Sequence, residues 1–231
     1  MSVKSRCKST NFRGSPKIST TVGYDGFLIK DTSSSGTPTY AGAAGGLAMT
    51  LASTNEAEVV TLYTEDILPY KIDAIEKIIF RDVTLTASFT GILAIGLASA
   101  QNDTLDSVTN NVWFRCDGSN SIVCESDDGT NDVDDKATGL SLSTTPVTLE
   151  IDFTTEVYSA SKAGSKGKQA AFFITDGNGV RRRVAESSAF RLDGIADGTG
   201  LQPFVQIQKA SGTAVPAVTI AEIEVYYRTA S

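Results

Sequence analysis

Val147-Thr148-Leu149-Glu150-Ile151-Asp152-Phe153 alternates apolar and polar residues without a break. Successive side chains of an extended chain point to opposite faces. Val147, Leu149, Ile151 and Phe153 therefore line one face, and Thr148, Glu150 and Asp152 line the other. This is the pattern of an antiparallel strand with one face on a core and the other toward water. The same reading outward along the chain predicts strands over Gly26–Lys30, Leu47–Ala52, Glu58–Thr64, Ile72–Thr86 (whole or broken), Gly91–Ala98 and Val112–Cys116, then over Ser121–Ser126, Gln169–Thr175, Val180–Glu186, Pro203–Lys209 and Val218–Arg228. Many short strands at close spacing predict an all-β sandwich of two antiparallel sheets. Helix is confined to one turn over Thr104–Val108, with Asn102 or Asp103 as its cap.

Turn chemistry supports the pairing. Asp176-Gly177-Asn178-Gly179 sits between two apolar runs and reads as a hairpin. Asp117-Gly118-Ser119-Asn120 does the same between Val112–Cys116 and Ser121–Ser126. A Gly118–Asn120 loop puts Phe114 opposite Cys124 and buries Cys116 and Cys124 as small hydrophobes. A register shifted by two would instead set the two cysteines face to face for a disulfide. Cys7 is left over as an exposed thiol. In the last strand the apolar phase slips, from Val218 and Ile220 to Ile223, Val225 and Tyr227, which predicts a β-bulge near Ala221-Glu222.

Charge is spread unevenly over the 231 residues. The net charge is −7, yet the only charged residues before Asp25 are Lys4, Arg6, Lys8, Arg13 and Lys17. The remainder holds 15 basic and 27 acidic residues, or −12. Residues 1–24 are thus expected to be a basic, extended, flexible arm that docks on an acidic neighbouring subunit, with residues 25–231 forming the sandwich domain. Five dispersed cations are a weak footprint for nucleic acid, and the acidic body repels phosphate, so nucleic acid is not the expected partner. No apolar run of 18 residues is present, so no membrane span is expected.

The chain has no histidine. That excludes a Ser-His-Asp triad, a Cys-His dyad and a His-ligated metal. The densest acidic stretch runs from Glu125 to Asp135 and includes Asp127, Asp128, Asp132 and Asp134. Oxygen ligands of this kind suit Ca²⁺, and these four aspartates are the weak candidates for it. The spacing is not an EF-hand, and the ordinary reading is a solvated acidic segment on a sheet edge or loop, where it also discourages strand-to-strand aggregation. Glu150 and Asp152 share one strand face, but paired carboxylates cut glycosides only across a cleft. With one tryptophan and 8% aromatics there is little to stack a sugar, so no catalytic residues, no enzyme activity and no cofactor are expected. Arg181-Arg182-Arg183 is split by strand alternation and makes no single basic patch.

Several stretches resemble the concanavalin-like (laminin-G-like) jelly rolls found in structural proteins of tailed bacteriophages. They are Gly45–Glu58 (GGLAMTLASTNEAE) followed by Thr61–Tyr63, Val112–Asn120 (VWFRCDGSN) with Glu125–Thr130 (ESDDGT), and Thr148–Phe153. Phe172–Gly177 (FFITDG), Gly200–Lys209 (GLQPFVQIQK), and Val218–Ile220 with Glu224–Arg228 (EVYYR) continue the likeness, which covers roughly residues 25–228. The resemblance implies a jelly-roll sandwich and a virion structural role, as a decoration (cement) protein on the outer surface of a phage head, made in the host cytoplasm. It implies the major capsid protein as partner and a homo-oligomer, a trimer by analogy. The alternative is a glycan-binding module of a phage tail or spike, for which Trp113, Tyr158 and Tyr226 are the candidate sugar platforms. A shell-forming or tail-tube subunit is a further possibility.

Overall fold

The computed structural model describes residues 3–14, 16–154 and 169–230. In chain order the strands are β1 (Val3–Asn11), β2 (Leu28–Asp31), β3 (Thr39–Ala43), β4 (Gly46–Thr50), β5 (Glu58–Tyr63), β6 (Tyr70–Lys71), β7 (Ile75–Leu85), β8 (Ile92–Ala98) and β9 (Asn110–Asp117). They continue as β10 (Ser121–Asp128), β11 (Asp132–Ser141), β12 (Val147–Asp152), β13 (Gln169–Thr175), β14 (Arg181–Val184), β15 (Phe190–Arg191), β16 (Gly200–Lys209), β17 (Ala217–Ile220) and β18 (Glu222–Ala230). A single 3₁₀ turn, Leu105–Ser107, is the only helix among the described residues.

These strands form two antiparallel sheets. The first is ordered β14-β13-β12-β7-β17-β4-β3, with β18 following β17 along β7 and β1 outside β18. The second is ordered β11-β10-β9-β8-β16-β5-β2. Between them lies the main core. Leu149, Ile151 and Phe153 point into it, as their alternation requires, and Phe114 of one sheet meets Phe172 of the other edge to face at 4.9 Å. Both hairpins form as expected. Phe114 lies opposite Cys124, so Cys116 and Cys124 are buried and unbridged. Thr175 lies opposite Arg181 across the Asp176–Gly179 turn.

The phase slip in the last strand is present, and β7 carries a matching one. Thr219 pairs with Thr84 and Glu222 with Arg81, so the two strands stay in register across the irregularity. The compensation in β7 falls at Asp82, whose φ is +51°. The shift shows on the other side of β7, where β12 pairs Val147 with Val83 but Leu149 with Phe80. Both halves of each strand thereby keep their apolar residues on the core. Next to Ala221 the sheet is so close that only glycine fits at Gly46. A Cβ there would lie 2.2 Å from the Ile220 carbonyl oxygen.

One expectation is corrected and one is narrowed. The N-terminal segment is not a free arm: residues 3–11 are β1, paired along β18 from Val3 opposite Ala230 to Asn11 opposite Glu222. Its anchors are Phe12 and Ile18, both buried. Phe12 also donates its N–H to the Ala221 carbonyl at 2.8 Å. An edge strand that faces solvent needs no apolar period, so its polar alternation conceals it. The acidic stretch, expected on a sheet edge or in a loop, takes the edge, since β11 is the outermost strand of the second sheet. β10 runs through Asp128, the chain turns over Gly129–Asn131, and β11 begins at Asp132.

Candidate functional site

On β9 the side chains of Asn111, Trp113 and Arg115 face away from the main core, because Val112, Phe114 and Cys116 face into it. Cross-strand register builds the outer face of the second sheet from this row. Trp113 lies beside Glu125 of β10 on one side and Gly96 of β8 on the other, and Gly96 lies beside Phe204 of β16. Gly96 carries no side chain to separate the two aromatics. Trp113 and Phe204 stack across it with centroids 5.8 Å apart and planes at 28°. A Cβ on Gly96 would meet the Val112 carbonyl oxygen at 2.1 Å.

Ala94 and Ala98 flank Gly96 on the same face and leave a trough. The β8–β9 connection folds back over it. Leu105 and Val108 pack with Ala94, Ala98, Trp113 and Phe204 as a second apolar cluster outside the sandwich. The expected helical turn supplies Leu105, although its cap position, Thr104, makes no side-chain cap bond. Asn102 instead accepts the Thr104 N–H at 2.9 Å. Beyond Phe204 the face is polar. Gln202, Gln206 and Thr61 are buried there, with Thr61 donating to Gln206 at 2.8 Å and Gln202 donating to Asp66 at 2.7 Å.

On the other side of the covered trough lies a cleft of about 380 Å³, lined by Asn111, Trp113, Arg115, Glu125 and the carboxylates of Asp106, Asp127, Asp132, Asp134 and Asp135. Glu125 is its floor. The Trp113 indole N–H donates to one carboxylate oxygen at 2.8 Å, and Arg115 approaches the same oxygen at 3.3 Å. Burial pushes the Glu125 carboxyl up to about 7, against the pull of the Trp113 N–H and the Arg115 charge, and contact with Asp135 adds to the rise. Asp134 is also raised, by burial and then by its contact with Asp132. Carboxylates this close repel one another, so the cleft favours protons, cations and hydroxyl donors. One guanidinium, Arg115, is shared between Asp106, Asp117 and Glu125.

The candidates from the sequence fall in different places. Asp127, Asp132 and Asp134 line this cleft, whereas Asp128 turns away. Asp128 accepts N–H groups from Thr130 at 2.9 Å and Gly194 at 2.7 Å, together with that of Asn131. Burial opposes its charge, but the N–H groups of Asn131 and Gly194 outweigh this and hold the carboxyl below its ordinary range. Among the described residues no three carboxylates or thiols stand as a metal-holding group. Of the basic residues, Lys8 pairs with Asp25 and Arg13 with Asp82, while Lys4, Arg6 and Lys17 are exposed.

Trp113 is only 1% exposed beneath Leu105, so it offers no open platform for a sugar. Tyr226 lies on the outer face of the first sheet, with the Lys77 ammonium 4.7 Å from its ring centroid. Tyr158 lies outside the described residues. Glu150 is taken up by a two-pronged bond to Arg181, at 3.0 and 3.1 Å, and Arg181 lies over the Phe173 ring. Sequence reasoning placed Glu125 and Asp135 in the acidic stretch but did not see that Glu125 is buried, and it missed Arg115. The available signal was alternation, which puts Trp113, Arg115 and Glu125 on the face opposite Phe114 and Cys124.

No protein-family model matches the chain, and no curated protein matches it in sequence. Solved structures do match in shape, and they define the class: a concanavalin-like, legume-lectin-type jelly roll. Peanut lectin, solved with a 9mer peptide, superposes with a TM-score of 0.58 at 12% identity, covering 99% of this chain and 100% of the lectin. A protein of unknown function from Shewanella oneidensis MR-1 gives 0.58 at 9% identity, covering 98% of this chain and 89% of that one. The catalytic domain of an endo-1,3-beta-glucanase (laminarinase) from Thermotoga petrophila gives 0.56 at 10% identity, covering 95% and 96%. At such identities the likeness is one of fold, and the fold hosts both lectins and a glucanase.

Proposed function

We propose that the chain is a non-catalytic binding module that takes a hydroxyl-rich, glycan ligand in the acidic cleft of the second sheet. The observation that carries this reading is the cleft itself, where six carboxylates and Asn111 line an open volume of about 380 Å³. Sugar hydroxyls donate well to carboxylates, and charged acceptors make the stronger bonds. The lectin-type fold supports the reading, as does the carbohydrate recognition domain of Emp46p, which superposes at a TM-score of 0.52 with 13% identity. Recognition here is by hydrogen bonds, because the Trp113 ring is roofed. A glycan array probed with the wild-type chain and with Asp132→Asn/Asp134→Asn tests it. Hits that the double variant loses support the cleft; an array with no hits, or hits the variant keeps, removes it.

A second reading is the capsid decoration protein, a homotrimer on the outer surface of a phage head that meets the major capsid protein. It is favoured by β1, a strand at the sheet edge that carries Lys4, Arg6 and Lys8 on an otherwise acidic body. A specific contact of this kind buries about 1,000 Å² or more. The position of density for this chain on an intact particle tests that reading. Density on the tail alone, or none, sinks it.

A further inference from the structure

We propose that the outer edge of β1 is a docking edge for an acidic, extended segment of a partner protein, which adds beside it as a further strand and drops one apolar side chain into the crevice under Lys8 and Thr10. Three independent observations meet there.

The first is an open edge. β1 pairs only with β18, and among the described residues no backbone group of Lys4–Thr10 has a partner on the other side. Unpaired N–H and C=O groups in a row are a template for another strand.

The second is charge. Lys4, Arg6 and Lys8 alternate, so they share one face, the face of Tyr227 and Val225 opposite them in β18. Lys8 is paired with Asp25, whereas Lys4 and Arg6 are exposed and have no acidic partner among the described residues. A strand added to β1 sets its own alternate side chains beside this row, where acidic residues fit. A second β1 does not fit, because like charges would stand opposite one another.

The third is the crevice. It lies between the sheets under the same face of β1, has a volume of about 190 Å³, and is walled by Lys8, Thr10, Ile67, Tyr70, Ile223 and Val225. A cavity of about 150 Å³ lined by apolar groups holds a benzene ring, so this one takes a single leucine- or phenylalanine-sized side chain. Ile67 on its rim is 65% exposed, one of the few large apolar side chains left in solvent. Main-chain bonds along an edge with a pocket for an alternate side chain constitute strand addition.

The inference deepens the decoration reading only in the chemistry of the contact, and it holds for any partner with such a segment. The probe is a fluorescein-labelled peptide amide, Thr-Glu-Thr-Glu-Thr-Leu-Thr-Glu-Thr, followed by anisotropy and by amide exchange of residues 4–9. Binding is expected, with slowed exchange along β1. It should weaken about tenfold on Lys4→Glu/Arg6→Glu, with Glu replaced by Lys in the peptide, and with Ile67→Asp. Peptides N-methylated at alternate positions, one for each edge, separate backbone pairing from charge, and one of the two should lose binding. No binding up to about 1 mM, equal binding by Lys4→Glu/Arg6→Glu, or equal binding by both methylated peptides overturns the docking edge. So does sedimentation showing a wild-type dimer that Lys4→Glu/Arg6→Glu dissociates, since a second copy would then own the edge. Failure of the peptide leaves the decoration reading to be judged on particles, and absence from particles leaves the peptide result standing.

Discussion

The indole N–H of Trp113 donates to the buried carboxyl of Glu125 at 2.8 Å, tying the strand that fills the main core to the floor of the acidic cleft. The bond stabilises a charge in a place where burial opposes it. Burial outweighs the bond and pushes the Glu125 carboxyl up to about 7, above its ordinary 4.5.

Between those two values the folded chain holds a proton that the unfolded chain has released. Stability from this group is thus greatest below about pH 4.5 and is lost as pH rises through about 7. Wild type should lose roughly 2–3 kcal/mol across that window relative to Glu125→Gln. Urea unfolding of both proteins at several pH values measures the difference. Parallel curves would mean that Glu125 ionises freely.

The three thiols should differ sharply in reactivity. Burial pushes Cys116 up to about 12 and carries Cys124 above its usual range, next to the Glu125 charge, while Cys7 is exposed on β1. The thiolate is the reactive form. An aromatic disulfide reagent should therefore titrate one thiol in the native chain and all three after unfolding. Two or more rapid native equivalents would contradict the buried hairpin.

Phe12 is the bolt of the N-terminal strand. Phe12→Ala should cost about 3–5 kcal/mol, because it leaves a cavity in the main core. Deleting residues 1–22 removes Phe12 and Ile18 together and should lower the melting temperature markedly, whereas deleting residues 1–4 should not. Thermal unfolding of the three variants decides this. An unchanged melting temperature for Phe12→Ala would return the segment to the status of a loose arm.

Lys209 is a buried ammonium that donates to the carbonyls of Thr54 at 2.7 Å and Gly212 at 3.1 Å, 3.7 Å from the buried Glu58 carboxylate. Lys209→Met leaves that carboxylate without a counter-charge and should cost about 3–5 kcal/mol. Adding Glu58→Gln should restore part of the loss. Strictly additive losses in denaturant unfolding would show that the two charges do not act as a pair.

β12 and the two hairpins were readable because their information is local. Apolar alternation sets the faces of Leu149 and Ile151, and turn residues set the pairing of Phe114 with Cys124. The phase slip at Ala221 was local, and so was its counterpart in β7, where Arg81-Asp82 separates the core-facing Ile78 and Phe80 from Val83 and Leu85; that the two slips lie side by side was not, since it depends on pairing across the sheet. The cleft was half legible: the acidic residues were visible, while their division into Asp128 as a turn anchor and Asp127, Asp132 and Asp134 as cleft walls follows from the β10–β11 hairpin.

By itself, then, the chain determined its layers and its core-facing residues, since period and turn chemistry act between neighbours, while the choice between two registers for Cys116 and Cys124 fell to the folded hairpin. Tertiary structure alone decided that Val3–Asn11 is a strand, because Ser9 meets Glu222 from 213 positions away. It also decided that Glu125 is buried and that Trp113 is roofed, because side-chain solvation depends on which distant segments cross above. Leu105 covers that ring by a fold-back no local pattern announces, and the cleft lies where that cover ends.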